Sequence, residues 1–505
     1  MNIRAVINIV SALTFLTGLV LLTAVPVSVM MGDSSEDIFN MFVSAIIPVF
    51  VGIVSYAISK KEKVKLGIRE GFGIVTFGWL AVSIFGALPY TIIEHLNWYD
   101  AFFETISGFT TTGSSVLEAG LRLNDGTFLQ SGISDMSYGV LYWRAMTHWL
   151  GGMGIVVLSL AILPFLGVGG QQLYNAEVPG PTSDQLTPKI ANSAKILWSV
   201  YFFLTIIETA LLYKGGMSLF DAWCQTCATL ATGGFSTQQA SVAGFHSPYI
   251  EYVITFFMFL AGCNFILHYK ALRGKPISFL KDEEFRFYFY IVAIATIIST
   301  VSLYGREIIT TGGETITSAG ISDAFRYSVF QVVSIITTTG FCTADFNLWP
   351  VYTTFILIIL MFIGGCGGST GGGMKVSRII LITKYCFSQV KRSLFPHALT
   401  NTRLHDQRVD TSVLHKVMAF VTIFLGLFAF YTFLLTLYDI DLVTAFTASI
   451  ASLGNIGPGL NKVGAASTYS WMPAEVKVIL STAMLLGRLE IFTVLVIFLP
   501  SFWKK

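Results

Sequence analysis

The chain has 505 residues, of which 54% are hydrophobic and only 12% charged, and its mean hydropathy is +0.70. Water does not tolerate that much apolar surface, so a soluble globular domain is excluded and a polytopic membrane protein expected. A formal net charge of +2 makes no case for nucleic acid, and the six scattered cysteines, including Cys224-Gln225-Thr226-Cys227 outside any βαβ context, read as small buried residues rather than a redox or zinc site.

Apolar runs long enough to cross a ~30 Å hydrocarbon core, about 20 residues each, lie near 6–31, 39–58, 71–93, 138–165, 195–213, 249–269, 286–304, 415–438 and 476–499. A broken run at 350–385 makes ten. The first run ends at Val25-Pro26-Val27 without a small-residue cleavage site and has only Arg4 before it, so it is expected to stay as a membrane helix. Basic residues fall in alternate loops: Lys60, Lys61, Lys63, Lys65 and Arg69; then Lys270, Arg273, Lys275 and Lys281; then Lys391, Arg392, Arg403 and Arg408. Those loops are expected to face the cytoplasm, as are both termini, with the acids Asp33, Glu36 and Asp37 outside.

Between these runs a Thr/Gly-rich turn recurs four times: Thr110-Thr111-Thr112-Gly113, Ala231-Thr232-Gly233-Gly234, Thr337-Thr338-Thr339-Gly340 and Gly454-Asn455-Ile456-Gly457. The approaches match too, through Asp100-Ala101-Phe102, Asp221-Ala222-Trp223, Asp323-Ala324-Phe325 and Thr444-Ala445-Phe446. The period, roughly 115 residues, is too long for a solenoid unit and suits a two-helix membrane module. From Asp100 to Thr110 is only ~15 Å of helix at 1.5 Å per residue, half a bilayer, so the chain is expected to turn back in mid-membrane. Irregular backbone survives there only when buried in protein or lining a watery cavity.

Asp100, Asp221, Asp323 and Thr444 are expected as N-caps, leaving the partially negative helix ends pointing inward. Carbonyls of Thr110, Thr111, Thr112, Gly113, Thr232, Gly233, Gly234, Thr338, Thr339, Gly340, Asn455, Ile456 and Gly457 would then replace the hydration shell of a cation without any formal charge. Any one such stretch could be a helix-packing contact of small residues; four in register point to one axial pore. In the third copy Asp-Ala-Phe stands four residues further from its glycine, about one extra helical turn, and the fourth copy has Asn455-Ile456 and Pro458, so the symmetry is approximate.

Residues 350–385 as one helix would extend about 54 Å, far beyond the hydrocarbon core, so this crossing must be broken. Seven glycines among the ten residues Gly364 to Gly373 mark the break, and a simple bend does not require so many. Arg488 lies inside the final apolar run. It is expected either to pair with a distant carboxylate or to stand as a permanent positive barrier in the pathway. Glu104 and Gln331 hold matching places in the short helices and are expected to brace the turns from behind; Arg144, His148, Asn264 and His268 read as packing or interfacial groups.

On the strength of Ile106-Ser107-Gly108-Phe109-Thr110-Thr111-Thr112-Gly113, Trp149-Leu150-Gly151-Gly152-Met153-Gly154, Gly364 through Lys375 and Asn455-Ile456-Gly457-Pro458-Gly459, the whole chain resembles the Trk/Ktr/HKT superfamily of potassium transporters. The extra amino-terminal helix pair is similar to that of TrkH-type membrane subunits of bacterial Trk systems. The resemblance implies an all-α membrane protein with four M1-pore helix-M2 repeats around one pore, about ten transmembrane helices and four re-entrant pore helices. The four turns become a potassium filter, with Gly113 implying preference for K+ over Na+. The segment Gly364, Gly365, Gly367, Gly368, Ser369, Thr370, Gly371, Gly372 and Gly373, with Lys375 and Arg488, becomes a gate below it. The resemblance also implies a homodimer and a cytoplasmic TrkA-like ring that binds ATP, ADP or NAD. The basic loops at 270–286 and 384–416 offer a docking surface.

No Walker A sequence, Rossmann fingerprint or convincing Ser/His/Asp set is present, and Ser107 with His148 lacks an orienting carboxylate, so neither an enzyme nor a bound cofactor is expected. A proton- or sodium-coupled carrier would place acids at the midplane on inverted repeats; here the repeats run parallel. The expected division is a helix pair at 1–66 and repeats at 67–190, 191–283, 284–410 and 411–505. The expected function is potassium uptake across the bacterial cytoplasmic membrane through a gated pore, with a coupled carrier on the same fold as the alternative.

Overall fold

In hydrocarbon every backbone N–H and C=O must be satisfied within its own segment, so the apolar runs become helices. The computed structural model describes residues 1–59, 67–154, 190–395, 403–404 and 407–504. Lys60, Lys61, Lys63 and Lys65, and the second half of the run at 138–165, lie outside them. Helices α1 (Ile3–Leu21), α2 (Ala24–Met31) and α3 (Ser35–Ser59) open the fold, with α1 packed along α3.

A first module follows: α4 (Ile68–Gly86) continued by α5 (Leu88–Ile92), the short α6 (Trp98–Phe109), and α7 (Tyr138–Gly152). The second has α8 (Ile190–Lys214), short α9 (Leu219–Leu230), then α10 (Pro248–Ala261) and α11 (Phe265–Leu272). After α12 (Ser278–Lys281) come α13 (Glu283–Leu303), short α14 (Ile321–Ile336), α15 (Val351–Ile363) and α16 (Val376–Leu394). The last module is α17 (Thr411–Thr436), short α18 (Leu442–Leu453), α19 (Ala474–Arg488) and α20 (Phe492–Leu495). Among the described residues, six spans are long and apolar enough to cross a membrane, or eight when two bent pairs are counted as one span each. Two-residue hairpins, Leu121–Arg122 with Phe128–Leu129 and Ile308–Ile309 with Thr315–Ile316, decorate the loops around the short helices.

Three of the short helices have 12 residues and α14 has 16, so the extra turn expected in the third copy is present in the helix itself. Their caps differ from expectation. Asn97, Ser218, Gly320 and Asp441 are the N-caps, and Asp100, Asp221, Asp323 and Thr444 sit three residues in. The displaced acids act instead in the first turn: the Ser218 hydroxyl donates to Asp221 at 2.6 Å while Ser218 Oγ accepts the Asp221 N–H at 3.0 Å.

The second crossing is broken in more than the third module. The axis bends by 102° between α10 and α11 and by 112° between α19 and the segment Phe492–Phe498. Asn264 restarts the chain by accepting the Ile266 N–H at 2.9 Å, and Glu490 and Ile491 both take left-handed backbone at the second bend. Breaks this short leave the hydropathy of a run intact, so the sequence reads them as unbroken.

Candidate functional site

The four turns share one backbone conformation. Their first residues, Thr110, Ala231, Thr337 and Gly454, close the short helices with φ of −75°, −74°, −77° and −83°. The second residues, Thr111, Thr232, Thr338 and Asn455, are left-handed at +52°, +55°, +61° and +55°. None of those four is glycine, and each such residue costs about 1 kcal/mol or more, a strain that clusters at functional sites. The fourth residues, Gly113, Gly234, Gly340 and Gly457, return to positive φ at +82°, +83°, +81° and +98°.

This alternation disposes of the N–H groups. The third residue of each turn donates back into its own helix: Thr112 to Ser107 at 2.9 Å, Gly233 to Ala228 at 2.8 Å, Thr339 to Ser334 at 2.9 Å and Ile456 to Ala451 at 2.8 Å. The carbonyls of Thr111, Thr112, Thr232, Gly233, Thr338, Thr339, Asn455 and Ile456 accept no hydrogen bond from any described residue. Buried carbonyls are normally paired, so this set needs an outside partner.

Contacts between turns close a ring. A Cβ at Gly113 would collide with the carbonyl oxygen of Gly233, one at Gly234 with that of Thr339, one at Gly340 with that of Ile456, and one at Gly457 with that of Thr112. Each glycine thus seats the third carbonyl of the next turn, and the series returns to its start. All thirteen expected site residues from Thr110 to Gly457 lie in this ring, whose first-residue hydroxyls brace the third: Thr110 with Thr112 at 2.7 Å, Thr337 with Thr339 at 2.8 Å. In the fourth turn, Asn455 Nδ2 instead donates to Thr112 Oγ1 at 3.0 Å and to the Met484 carbonyl at 2.9 Å.

Behind the ring, positions six residues before each turn hold Glu104, Gln225, Gln331 and Ala448. Glu104 accepts from Val116 N–H at 3.0 Å, Ser115 Oγ at 2.9 Å and Arg144 Nε at 2.8 Å. Arg144 continues to the Ser236 carbonyl at 2.8 Å and lies over the Phe235 ring at 3.6 Å. His148 donates from one ring nitrogen to the Gly108 carbonyl at 2.7 Å and accepts the Phe235 N–H on the other at 3.1 Å, which only a neutral imidazole does. Arg144 and His148, expected as packing groups, therefore tie the first turn to the second. Gln225 was not singled out in the sequence; its match to the positions of Glu104 and Gln331 was the available signal. Asn264 caps α11, and His268 contacts the Leu260 carbonyl at 2.9 Å.

The glycine-rich segment 364–373 packs against the ring on the side where the short helices end. Gly372 donates to Thr338 Oγ1 at 2.6 Å, Gly373 to the Gly454 carbonyl at 3.0 Å, and Thr370 Oγ1 to the Leu230 carbonyl at 2.9 Å. At Gly372 a Cβ would strike the Gly454 oxygen, so a side chain there is incompatible with this seat. Ser369 donates to Cys366 within the loop at 2.6 Å, and the Lys375 ammonium folds back onto the Gly371 carbonyl. Among the described residues Arg488 holds the arrangement together through carbonyls. Its guanidinium donates to the Thr370 carbonyl at 2.8 Å and to those of Gly151 and Gly152 at 2.6 and 3.1 Å. Glu490 is paired with Arg378 instead. Among the described residues the ion pair expected for Arg488 is not found; the loop and α7 supply carbonyl oxygens instead.

No group of three or more His, Cys, Asp or Glu among the described residues is arranged to hold a metal ion. What the ring offers an ion is partial charge on carbonyls.

Comparison with known proteins agrees over the full length. A family model described as TrkH, cation transport protein, matches residues 36–505. The chain is 37% identical over 509 residues to the Trk system potassium uptake protein TrkH of Escherichia coli strain K12, covering 100% of both. It is 38% identical over 510 residues to the protein of that name from Halomonas elongata, again covering 100% of both. The crystal structure of the potassium transporter TrkH from Vibrio parahaemolyticus superposes with a TM-score of 0.85 at 33% identity, covering 100% of each chain.

Proposed function

The chain belongs to the TrkH family of cation transport proteins, and from that premise we propose that it takes up potassium ions across a bacterial cytoplasmic membrane through a gated, channel-like pore. The observation that carries this reading is the closed ring of four turns with eight carbonyls that no described residue satisfies. A K+ ion sheds water and takes those oxygens in exchange. The C-terminal ends of four short helices add partial negative charge at the same place. Because no carboxylate among the described residues lines the ring, an ion is bound without being trapped, and the membrane potential drives it inward at about 2.3 kcal/mol per charge per 100 mV.

The segment 364–373 is the gate in this reading. It fills the space on the inner side of the ring, held there by Arg488, and conduction requires it to leave. Arg488 adds a charge that stays positive and opposes cations while the loop is seated. Both termini lie in the cytoplasm, two copies of the chain associate, and a TrkA-like nucleotide-binding ring acts on the basic segments 270–286 and 384–416. No cofactor is bound by the chain itself; K+ is its cargo.

The test is flux of radiolabelled Rb+ into potassium-loaded proteoliposomes with sodium and protons clamped, for wild type, Gly113→Ser and a deletion of Gly364–Gly373. Flux competed by K+ and not Na+, Na+ competition in Gly113→Ser, and raised basal flux in the deletion are expected. Wild-type flux that appears only with a sodium or proton gradient would overturn the pore in favour of a coupled carrier.

A further inference from the structure

The ring side of the glycine-rich loop is held by many contacts; elsewhere Cys366 N–H donates to the Gly262 carbonyl at 2.9 Å, the Gly368 carbonyl accepts the Phe265 N–H at 3.1 Å, and one carboxylate ties the loop to the neighbouring helix α13. Glu284, the second residue of α13, is 6% exposed. A single oxygen, Oε1, accepts the N–H of Gly367 at 2.7 Å and the N–H of Ser377 at 2.8 Å. Gly367 is in the middle of the loop and Ser377 in the first turn of α16, so this one atom ties both to α13, beside the direct bond from Val376 N–H to the Gly365 carbonyl at 3.0 Å. Amides bonded to an ionised oxygen form stronger bonds than amides bonded to a carbonyl, and a buried amide left without a partner is costly.

What precedes Glu284 connects it to the cytoplasmic side. Asp282 caps α13 by accepting the Phe285 N–H at 2.8 Å. The segment before it carries Lys275 and Lys281, and its Phe279 packs edge-on against Phe285 and His268 at ring separations of 5.1 and 5.3 Å. Glu283 pairs with Lys384 on α16. A cleft of about 260 Å³ lies between α13 and α16, lined by Glu283, Arg286, Phe287 and Lys384 among others. The cytoplasmic segment, the start of α13 and the loop therefore form one mechanical series with Glu284 as its last link.

We infer that Glu284 is the positioning residue through which displacement of the cytoplasmic segment 270–282 is passed to the loop. It touches no permeating ion and acts only by holding or releasing Gly367 and Ser377. When the start of α13 shifts, both amides lose their acceptor together, and the loop is freed from α13 while its bonds to Gly262, Phe265 and Val376 and its ring-side contacts remain to be broken. The inference rests on reading 364–373 as the gate.

Full-length protein in proteoliposomes, without regulatory partner, tests it. Glu284→Ala removes the acceptor, and Glu284→Gln keeps the shape but not the charge. Cys366, buried next to Gly367, is a native reporter of loop release; the exposed Cys386 is first replaced by Ser, and labelled peptides are mapped to separate Cys366 from the other buried thiols. Expected are a basal Rb+ flux raised on the order of tenfold in Glu284→Ala, less in Glu284→Gln, and Cys366 labelling accelerated in the same order. K+ over Na+ competition stays at the wild-type value. If Glu284 serves only to cap α16, both variants melt earlier while flux and Cys366 protection stay at wild-type levels, and the inference falls. Deleting Gly364–Gly373 is the control: a deletion that leaves basal flux unchanged sinks the gate reading itself, whereas raised flux in the deletion alone sinks only the role of Glu284.

Discussion

Glu104 and Arg144 form an ion pair at 2.8 Å behind the first turn, with side-chain exposures of 0% and 4%. From there Arg144 reaches the Ser236 carbonyl beside the second turn, so two modules share one buried charge pair. Removing a single partner strands the other, at a cost of about 3–5 kcal/mol. Glu104→Gln and Arg144→Ala are expected to lower the melting temperature in detergent and the K+ over Na+ competition of Rb+ flux together. Arg144→Lys keeps the charge but not the fork that serves Glu104 and Ser236 at once, so it should retain stability better than selectivity.

Gly113 and Gly216 both have positive φ, +82° and +98°, yet a Cβ at Gly113 meets a backbone oxygen whereas one at Gly216 meets nothing within 4 Å. Gly216→Ala should cost about 1 kcal/mol of stability and leave flux unchanged. Gly113→Ala should carry the same conformational cost and also displace the Gly233 carbonyl, cutting flux by at least about tenfold for each 1.4 kcal/mol that the ring loses for the ion. Side-by-side flux and melting measurements distinguish the two.

Arg488 serves three carbonyls on two elements. Arg488→Gln should raise basal Rb+ flux, since both the tie to Thr370 and the positive charge are lost. Arg488→Lys preserves the charge but cannot span Thr370 and the α7 end together, and should fall between Gln and wild type. Equal flux in all three proteins would contradict the role given to Arg488.

Glu94, in the loop before the first short helix, accepts from Ser137 N–H and Oγ at 3.0 and 3.1 Å. Burial drives its carboxyl up from the ordinary value to about 7, the bonds from Ser137 oppose that, and the charges of Asp37 and Asp33 reinforce it. The folded state then binds a proton more readily than the unfolded chain. Its contribution is complete below the ordinary carboxylate range and is lost as pH rises through about 7. Melting temperature should fall between pH 5 and pH 8 by an amount matching about 3 kcal/mol at most, and Glu94→Gln should flatten that slope.

The repeat of turns, the half-bilayer length of the short helices and the extra turn of α14 were legible because each is written locally, in residue type and spacing. The caps were misplaced by three positions because Asp100 and Asp221 look like caps in sequence, whereas the caps themselves, Asn97 and Ser218, are identified by the N–H groups they accept. Bends at Gly262–Asn264 and Leu489–Ile491 were hidden by the hydropathy around them, although Asn264 and Glu490 inside apolar runs were a signal. The partners of Arg144, Arg488 and Glu284 could not be read at all. The nearest of them lie 29, 118 and 83 residues away, and only the fold brings them together.

The ring also bears on how such a site can change. In a pore assembled from four identical subunits, one altered codon changes every quarter at once, and a seat as tight as that of Gly113 would be lost four times over. Here each quarter has its own codons. Thr111-Thr112 and Thr338-Thr339 are alike, but Thr232-Gly233 and Asn455-Ile456 already carry different side chains on the same backbone path. A single chain with four unequal quarters can therefore be tuned one quarter at a time, and heritable variation in ion preference can accumulate in steps too small for a symmetric tetramer to take.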